Sequence, residues 1–298
     1  MMTFHKMRPA TLAFMGGLAM MSASGAIASE GGGTAYPLGA EDFMAGAAPP
    51  PGTYLINYAQ YYTADTLKTP GADVDIDLTV WADVVRLIHI TPLQILGANY
   101  GVHVFFPFVK LDLSVSGTPV DVSESGLGDI VFSPLILSWH WPNTHSVFAL
   151  DFYAPTGDFS ATRAANIGRN YWTLEPVFAV THLTDGGLDL SAKFMYDFNR
   201  ENDDTNYKTG QEFHFDYTVA QKFGNFAAGV GGYYYTQVTD DELNGAKVAD
   251  SEGRVFAIGP QIKYDYKGMS FIGKWHHELD VKNRPEGDKF WFKFIMAF

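Results

Sequence analysis

The chain has 298 residues, no cysteine and a formal net charge of −13 at pH 7. This acidic excess excludes nucleic acid as a partner, because binding a phosphate backbone requires basic surfaces. The absence of cysteine excludes a fold that depends on disulfides. Aromatic residues make up 15% of the chain and charged residues only 18%, a balance that favours aromatic strands over solvated helices.

The first 28 residues have the form of a secretory signal peptide. Lys6 and Arg8 precede an apolar run from Ala10 to Met21, and Ala26-Ile-Ala28 matches the A-x-A cleavage signature. The sequence therefore predicts a signal peptide at residues 1–28 and a mature chain that begins at Ser29. No later apolar run reaches the length of about 18 residues that a membrane-spanning helix requires.

Residues 29–51 form an N-terminal segment ahead of the first predicted strand. Gly31-Gly-Gly33 and the proline-rich stretch at 45–51 suit a flexible chain, so a disordered periplasmic tail is one interpretation. Tyr36-Pro-Leu38 and Phe43-Met44 are more apolar than a solvated tail requires. We therefore expect this segment to pack as a partial plug inside the domain that residues 52–298 form.

Residues 52–298 carry segments in which apolar and polar side chains alternate, the pattern of strands with one apolar face. The alternation and the turn residues between segments predict about twelve strands. Their expected bounds are Gly52–Ala64, Asp73–Ile90, Gly97–Ser114, Gly126–Trp141, Ser146–Thr156, Asn170–Thr184, Leu188–Asn199, Gly210–Phe223, Phe226–Val238, Gly253–Tyr266, Met269–Val281 and Lys289–Phe298.

The connections between these strands alternate in length. Short turns are predicted at 91–96, 142–145, 185–187, 224–225 and 267–268, and longer loops at 65–72, 115–125, 157–169, 200–209, 239–252 and 282–288. An even strand number with turns sorted in this way is typical of outer-membrane barrels. Because backbone groups cannot stay unpaired in hydrocarbon, the sheet must close. The sequence thus predicts an all-β, membrane-spanning, antiparallel up-and-down barrel in the outer membrane of a Gram-negative bacterium.

Alternation also predicts which side chains face the lumen. In the second strand we assign the aliphatic side chains, such as Ile76 and Val80, to the lipid and the acidic ones to the lumen. The polar faces form a channel wall, which is either a network of buried ion pairs or a selectivity surface. The predicted channel-lining residues are Asp75, Asp77, Trp81, Asp83, His103, Asp129, Asp151, Tyr153, Glu175, Lys193, Asp197, Glu212, His214, Asp216, Lys263, Lys274, His276, Glu278, Lys289, Trp291 and Lys293.

The last strand shows the alternation most clearly. One face carries Lys289, Trp291 and Lys293, and the chain ends on the opposite, apolar face with an aromatic residue. Such an ending resembles the signal that the barrel-assembly machinery recognises, which makes that machinery and outer-membrane lipid expected partners. The residues of the predicted assembly signal are Phe290, Phe292, Phe294, Met296 and Phe298.

Catalytic and metal-binding patterns are weak in this sequence. His182 and His277 are assigned to the lipid face without a serine nearby, whereas a nucleophilic site needs serine, histidine and an acid within reach. His276 and Glu278 share the lumen face, but two ligands are too few for a metal centre. We expect no enzyme activity, no cofactor and no metal site. A lipid-modifying hydrolase, or a structural barrel without transport, remains the alternative.

Several short motifs resemble one known family in order along the chain. They include Tyr36–Phe43, Gly126-Leu-Gly-Asp-Ile130 with Ser133-Pro134, Tyr153–Asp158 and Asn166–Asn170, with further matches at 50–54, 172, 199–210 and 258–260. These motifs resemble the family of meta-pathway phenol degradation proteins. The resemblance implies an outer-membrane barrel of about twelve strands that takes up small hydrophobic or aromatic solutes, and it implies no catalytic residues.

Overall fold

The computed structural model describes residues 29–298, and the predicted signal peptide lies outside the described residues. Apart from one 3-10 turn at Glu30–Gly32, the regular structure of this part of the chain consists of strands. Between residues 29 and 298, no helix is long and apolar enough to cross a membrane. The strands are β1 Gly52–Lys68, β2 Asp73–Ile95, β3 Ala98–Val115, β4 Asp121–Leu127, β5 Val131–His140, β6 Thr144–Tyr153, β7 Thr173–Leu183, β8 Leu188–Asn199, β9 Tyr207–Lys208, β10 Glu212–Phe223, β11 Phe226–Gln237, β12 Asp241–Leu243, β13 Ala246–Val248, β14 Arg254–Tyr266, β15 Met269–Lys282 and β16 Pro285–Ala297.

The strands form a closed antiparallel barrel with twelve strand positions. Neighbours follow the chain from β1 to β16, and β1 pairs with β16 to close the sheet, from Tyr54 opposite Ala297 to Leu67 opposite Pro285. Strands β4 and β5 share one position, because β4 pairs with residues 108–114 of β3 and β5 pairs with residues 99–105. The predicted fold class is therefore confirmed. The pairing of β1 with β16 closes the barrel without an open seam between its first and last strands, as a hydrocarbon environment requires.

The two ends of the barrel differ in their connections. At one end, Leu96-Gly97 and Lys267-Gly268 form two-residue turns in which both residues have positive φ, the conformation that suits a tight hairpin. The connections at 154–172, 200–211 and 238–253 lie at the opposite end. We call these the short-turn end and the long-loop end. The predicted loop at 282–288 is wrong in length, because β16 begins at Pro285 and leaves only residues 283–284 between strands.

A small second sheet lies in the connections of the long-loop end. It consists of β9, β12 and β13, and its central strand, β12, begins with the buried Asp241. The Asp241 carboxylate accepts hydrogen bonds from the Tyr207 hydroxyl, from Gly210 N at 2.7 Å and from Gln237 Nε2 at 2.7 Å. One acidic side chain therefore joins two separate connections, and its charge state matters for their stability.

We expect this small sheet to become more stable as the pH falls from neutral. Burial raises the pKa of Asp241 to about 6, so the folded sheet holds a proton more tightly than the unfolded loop does. A raised carboxyl pKa stabilises the folded form as pH falls through about 6 toward the unfolded value of about 4. Hydrogen exchange of residues 207–210 and 241–248, corrected for intrinsic rates, should slow over that range. An equal pH response in Asp241→Asn would contradict this assignment.

Candidate functional site

The N-terminal segment, residues 29–51, runs through the barrel from one end to the other. At the long-loop end, Ser29 is 1% exposed and its Oγ donates a hydrogen bond to Glu212 Oε1 at 2.7 Å. Near the short-turn end, Gly46 N donates to Thr181 Oγ1 at 2.9 Å, shortly before β7 ends. The chain then enters β1 at Gly52. The segment therefore contacts the inner wall over most of the barrel's height.

Asp216 of β10 holds the middle of this segment. Its carboxylate accepts hydrogen bonds from the Tyr36 hydroxyl at 2.5 Å, from Gly39 N at 2.9 Å and from Glu41 N at 2.9 Å. Gly39 has a φ of 82°, and a Cβ there would lie 2.6 Å from the Tyr233 ring. Glycine is thus required both by the backbone conformation and by the close approach to the wall.

Glu41 and Asp42 of the segment meet a group of cations on the opposite wall. Lys274 Nζ lies 2.8 Å from Asp42 Oδ2, and Lys293 Nζ lies 2.7 Å from Glu41 Oε2 and 3.3 Å from Asp42 Oδ1. Arg86 Nη1 lies 3.2 Å from Glu41 Oε1. We call these five residues the lysine cluster. Because charges this deeply buried need counterions, the cluster fixes the segment against β2, β15 and β16.

Carboxylates line the other side of the lumen. Asp151, Glu175, Asp197 and Glu212 are each at most 3% exposed and lie on β6, β7, β8 and β10. The N-terminal segment therefore lies between the cations of the lysine cluster and this row of carboxylates, although each wall also carries a residue of the other sign, Glu278 on β15 and Lys193 on β8.

Aromatic rings accompany the charged groups along the lumen. Lys289 Nζ lies 4.6 Å from the Tyr233 ring centroid and 5.1 Å from that of Tyr62, and Lys293 Nζ lies 5.0 Å from that of Tyr58. These contacts stabilise an ammonium through the ring faces while the rings keep an apolar surface. The inner wall therefore presents charged groups and apolar ring surfaces side by side.

Most of the predicted channel-lining residues are buried inside the barrel, although whether they line a path for solutes stays a prediction. Lys263 is half-buried beside Asp265, with Nζ to Oδ1 at 3.2 Å. Asp129 lies between β4 and β5, where it accepts hydrogen bonds from Gly157 N and Arg169 N and organises the loop at 154–172. The buried members are His103, Asp151, Tyr153, Glu175, Lys193, Asp197, Glu212, His214, Asp216, Lys274, His276, Glu278, Lys289, Trp291 and Lys293.

Four residues predicted to line the lumen lie on the outer face of β2. They are Asp75, Asp77, Trp81 and Asp83, all exposed, and their assignment to the lumen is wrong. The register with β1 and β16 fixes their facing, because Trp81 lies opposite Tyr61, which in turn lies opposite the outward-facing Phe290.

The error has a physical cause. Ile76 and Leu78 of β2 pack inward with Tyr62 and Ala64 of β1, in an aliphatic cluster that also includes Leu111. The rule that apolar side chains face lipid therefore fails where the interior is itself apolar. The same reversal hid Arg86, which shares the inward face of β2 and belongs to the lysine cluster.

A lipid-quenching experiment checks the facing of β2. The wild-type chain has no cysteine, so Trp81→Cys and Ala82→Cys each accept one fluorescent label. We expect brominated acyl chains to quench the label at position 81 more strongly than the one at position 82, because successive strand residues face opposite sides. Phe290→Cys, on the outer face, and Gln60→Cys, 8% exposed, calibrate the two extremes. Stronger quenching at position 82 would reverse our assignment.

Facing in the last strand agrees with the alternation. Phe290 and Phe292 are 46% and 50% exposed on the outer face, whereas Lys289 and Lys293 are 7% and 3% exposed. The role of the outward-facing residues as an assembly signal stays a prediction for all five of them, Phe290, Phe292, Phe294, Met296 and Phe298.

The two outward-facing histidines considered for hydrolysis have other partners. His182 Nδ1 lies 2.9 Å from Thr144 Oγ1, and His277 Nδ1 lies 3.0 Å from Asp288 Oδ1. Neither of these hydrogen bonds involves a serine.

Sequence reasoning missed Glu41 and Asp42 as site residues. The available signal was their position beside Phe43, because an acidic pair within an apolar segment that enters a lumen needs buried cations. Their lysine partners were recognised only as wall residues.

Comparison with solved structures supports the fold. The COG4313 outer membrane channel from Pseudomonas putida F1 has a TM-score of 0.74 at 18% identity and covers 86% of this chain and 98% of its own. The translocator domain of autotransporter NalP from Neisseria meningitidis has a TM-score of 0.51 at 9% identity and covers 85% of this chain and 91% of its own. At these identities the likeness concerns the fold alone.

Sequence comparison identifies the family. A search of curated proteins finds no match. The family model described as "Putative MetA-pathway of phenol degradation" matches residues 61–294, which include nearly the whole barrel. The chain therefore belongs to this phenol degradation family, as its motifs predicted.

Proposed function

We propose that the protein is an outer-membrane channel for the passive uptake of small molecules, with aromatic or otherwise hydrophobic compounds as its preferred solutes. The lumen carries the proposal, because it places aromatic rings directly beside charged groups along the wall. Such a surface offers both stacking and polar contacts to a small, partly apolar molecule. The similar barrel from Pseudomonas putida F1 is itself an outer membrane channel, which supports the same class of function.

The apolar cluster toward the long-loop end supports the preference for hydrophobic solutes. Tyr62, Ile76 and Leu78 turn their side chains inward there, with Leu111 and Leu113 against them. An aliphatic inner wall attracts solutes that gain free energy when they leave water.

The long loops face outside the cell in this proposal, and the chain reaches the membrane through a cleaved signal peptide and the barrel-assembly machinery. We further propose that residues 29–51 act as a lumen plug. The contacts of Asp216 and of the lysine cluster support this role, because they hold the segment in the middle of the bore. Twelve strands enclose a bore between that of side-chain-filled barrels and that of wide porins, so one extended segment occupies a large share of it.

Liposome swelling tests the channel directly. Vesicles that contain the folded protein should swell in small aromatic solutes faster than in sugars of similar mass, and empty vesicles set the background. Permeability equal to that of empty vesicles would exclude passive transport, and hydrolysis of the vesicle phospholipid would favour the enzyme alternative. Growth on a panel of aromatic compounds, with the gene deleted and restored, then identifies the solute.

A further inference from the structure

Four carboxylates lie side by side across four neighbouring strands near the long-loop end of the lumen. Asp151 of β6 lies opposite Glu175 of β7, and Asp197 of β8 lies opposite Glu212 of β10. The register of β7 and β8 continues the row by setting Glu175 opposite Asp197. All four are at most 3% exposed. Because like charges directly opposite each other destabilise a sheet, the row requires compensating cations or protons.

The two outer members of this row have their own hydrogen-bond donors. Arg86 Nη2 donates to His103 Nδ1 at 2.8 Å, so the Nε2 atom of His103 carries a proton and donates to Asp151 Oδ1 at 3.0 Å. Glu212 Oε1 accepts hydrogen bonds from Ser29 Oγ and from the Tyr235 hydroxyl. The nearest buried lysine, Lys193 of β8, has its Nζ over the Tyr36 ring, 4.5 Å from the centroid, so the unbalanced negative charge is concentrated on the inner pair.

The inner pair shares one imidazole. His214 Nε2 lies 3.5 Å from Glu175 Oε2 and 3.2 Å from Asp197 Oδ2, and ligand atoms of the three residues all lie within 4.8 Å of one another. Glu175 Oε2 also accepts a hydrogen bond from the Tyr153 hydroxyl at 3.1 Å. Among residues 29–298, no group hydrogen-bonds to Glu175 Oε1, Asp197 Oδ1 or His214 Nδ1, although all three atoms are buried. Buried polar atoms without partners are costly, and each of these three residues carries one.

We propose that Glu175, Asp197 and His214 bind one divalent first-row transition-metal ion such as Zn²⁺. Ligand bonds of 2.0–2.2 Å place neighbouring ligand atoms about 3.0–3.5 Å apart, which matches the two separations from His214 Nε2. An imidazole with two carboxylates suits zinc, iron or manganese better than calcium or magnesium, which prefer oxygen ligands alone. A charge of +2 neutralises both inner carboxylates.

The ion joins three adjacent strands beneath the N-terminal segment. The Tyr36 ring stacks on His214 with centroids 5.1 Å apart, and its hydroxyl is held by Asp216 on the same strand. The N-terminal segment therefore covers the side of the proposed metal site that faces the lumen. It does not depend on the proposed transport, because metal binding is measured without any solute.

Calorimetric titration of the full-length, folded protein in detergent micelles tests the site. After treatment with a chelator, Zn²⁺ should bind with a stoichiometry of one ion per chain, and Mg²⁺ and Ca²⁺ should bind far more weakly. The substitutions Glu175→Gln, Asp197→Asn and His214→Gln should each weaken Zn²⁺ binding by more than about tenfold, because each removes a direct ligand and the loss of an outer-shell partner alone costs about 10–100-fold. His182→Gln, which changes a histidine on the outer face of the same strand as Glu175, serves as the matched control and should leave the affinity unchanged.

Other outcomes overturn the proposal. A wild-type protein that binds no stoichiometric Zn²⁺ would refute the metal site. Binding that survives all three substitutions, or that is lost equally in His182→Gln, would place the ion elsewhere. If a substituted chain fails to fold, X-ray absorption of the zinc-loaded wild type decides the matter, because one imidazole and two carboxylates are expected around the ion. A coordination sphere that contains no imidazole would contradict the assignment of His214 as a ligand.

Discussion

Deletion of residues 29–44 is expected to raise the single-channel conductance several-fold. The deleted stretch contains the three groups of the segment that hydrogen-bond to the Asp216 carboxylate and both carboxylates of the lysine cluster, so its removal opens the middle of the bore to water. The wall charges that lose their partners then become hydrated, which limits the cost in stability. Planar-bilayer recording of the purified chain measures the effect.

Two controls make the conductance result specific. A gel-mobility comparison of heated and unheated samples shows whether the shortened chain still folds into a barrel. A chain in which residues 29–44 are replaced by a glycine-serine linker of equal length keeps the length but loses the contacts, and it should conduct like the deletion. Conductance equal to wild type in both variants would refute the plug, whereas the channel itself would remain supported by the swelling assay.

Replacing Asp42 with asparagine should lower the free energy of unfolding by more than the loss of an exposed ion pair does. In wild type, three cations of the lysine cluster face two carboxylates, and Asp42 contacts both Lys274 and Lys293. The substitution keeps the segment in the lumen, so these buried ammonium groups lose a counterion without becoming exposed to water. Removal of one partner from a buried pair costs about 3–5 kcal/mol. Urea unfolding followed by tryptophan fluorescence gives the free energy of unfolding.

A matched substitution separates burial from charge. Asp73→Asn removes the same charge from an ion pair with Lys68, at 2.8 Å, whose side chains are 27% exposed for the lysine and 55% for the aspartate. Pairs of that kind contribute about 0–1 kcal/mol. The double variant Asp42→Asn with Lys274→Met should recover part of the loss, because it removes the stranded charge. Equal effects of Asp42→Asn and Asp73→Asn would show that the cluster is not as dry as its burial indicates.

Strand facing could be predicted where one face meets lipid and the other is polar. In β8 and β10 the aromatic residues face outward and the charged ones inward, as their alternation indicates. In β2 apolar side chains are favoured on both faces, toward the lipid and toward the lumen, because Ile76 and Leu78 pack in an apolar cluster inside the barrel. Alternation alone does not show which face of β2 is outward in that case, and only the register with β1 decides it.

The candidate site depends on contacts that no local pattern contains. Asp42 and Lys274 are 232 positions apart, and Glu41 and Lys293 are 252 apart. The composition of residues 36–44 indicates that the segment enters the lumen, but not which wall receives its charges. The row of four carboxylates could not be predicted from local patterns either, because it appears only when the registers of four strands are combined.

The position of the lysine cluster has a consequence for biogenesis. Lys274 and Lys293 lie on the last two strands of the chain, whereas Glu41 and Asp42 precede the first strand. A barrel that stalls before β15 and β16 join it leaves two carboxylates in its interior without these lysines. Because the salt bridges of Glu41 and Asp42 need lysines from both strands, the docked segment and the closing strands of the barrel stabilise each other.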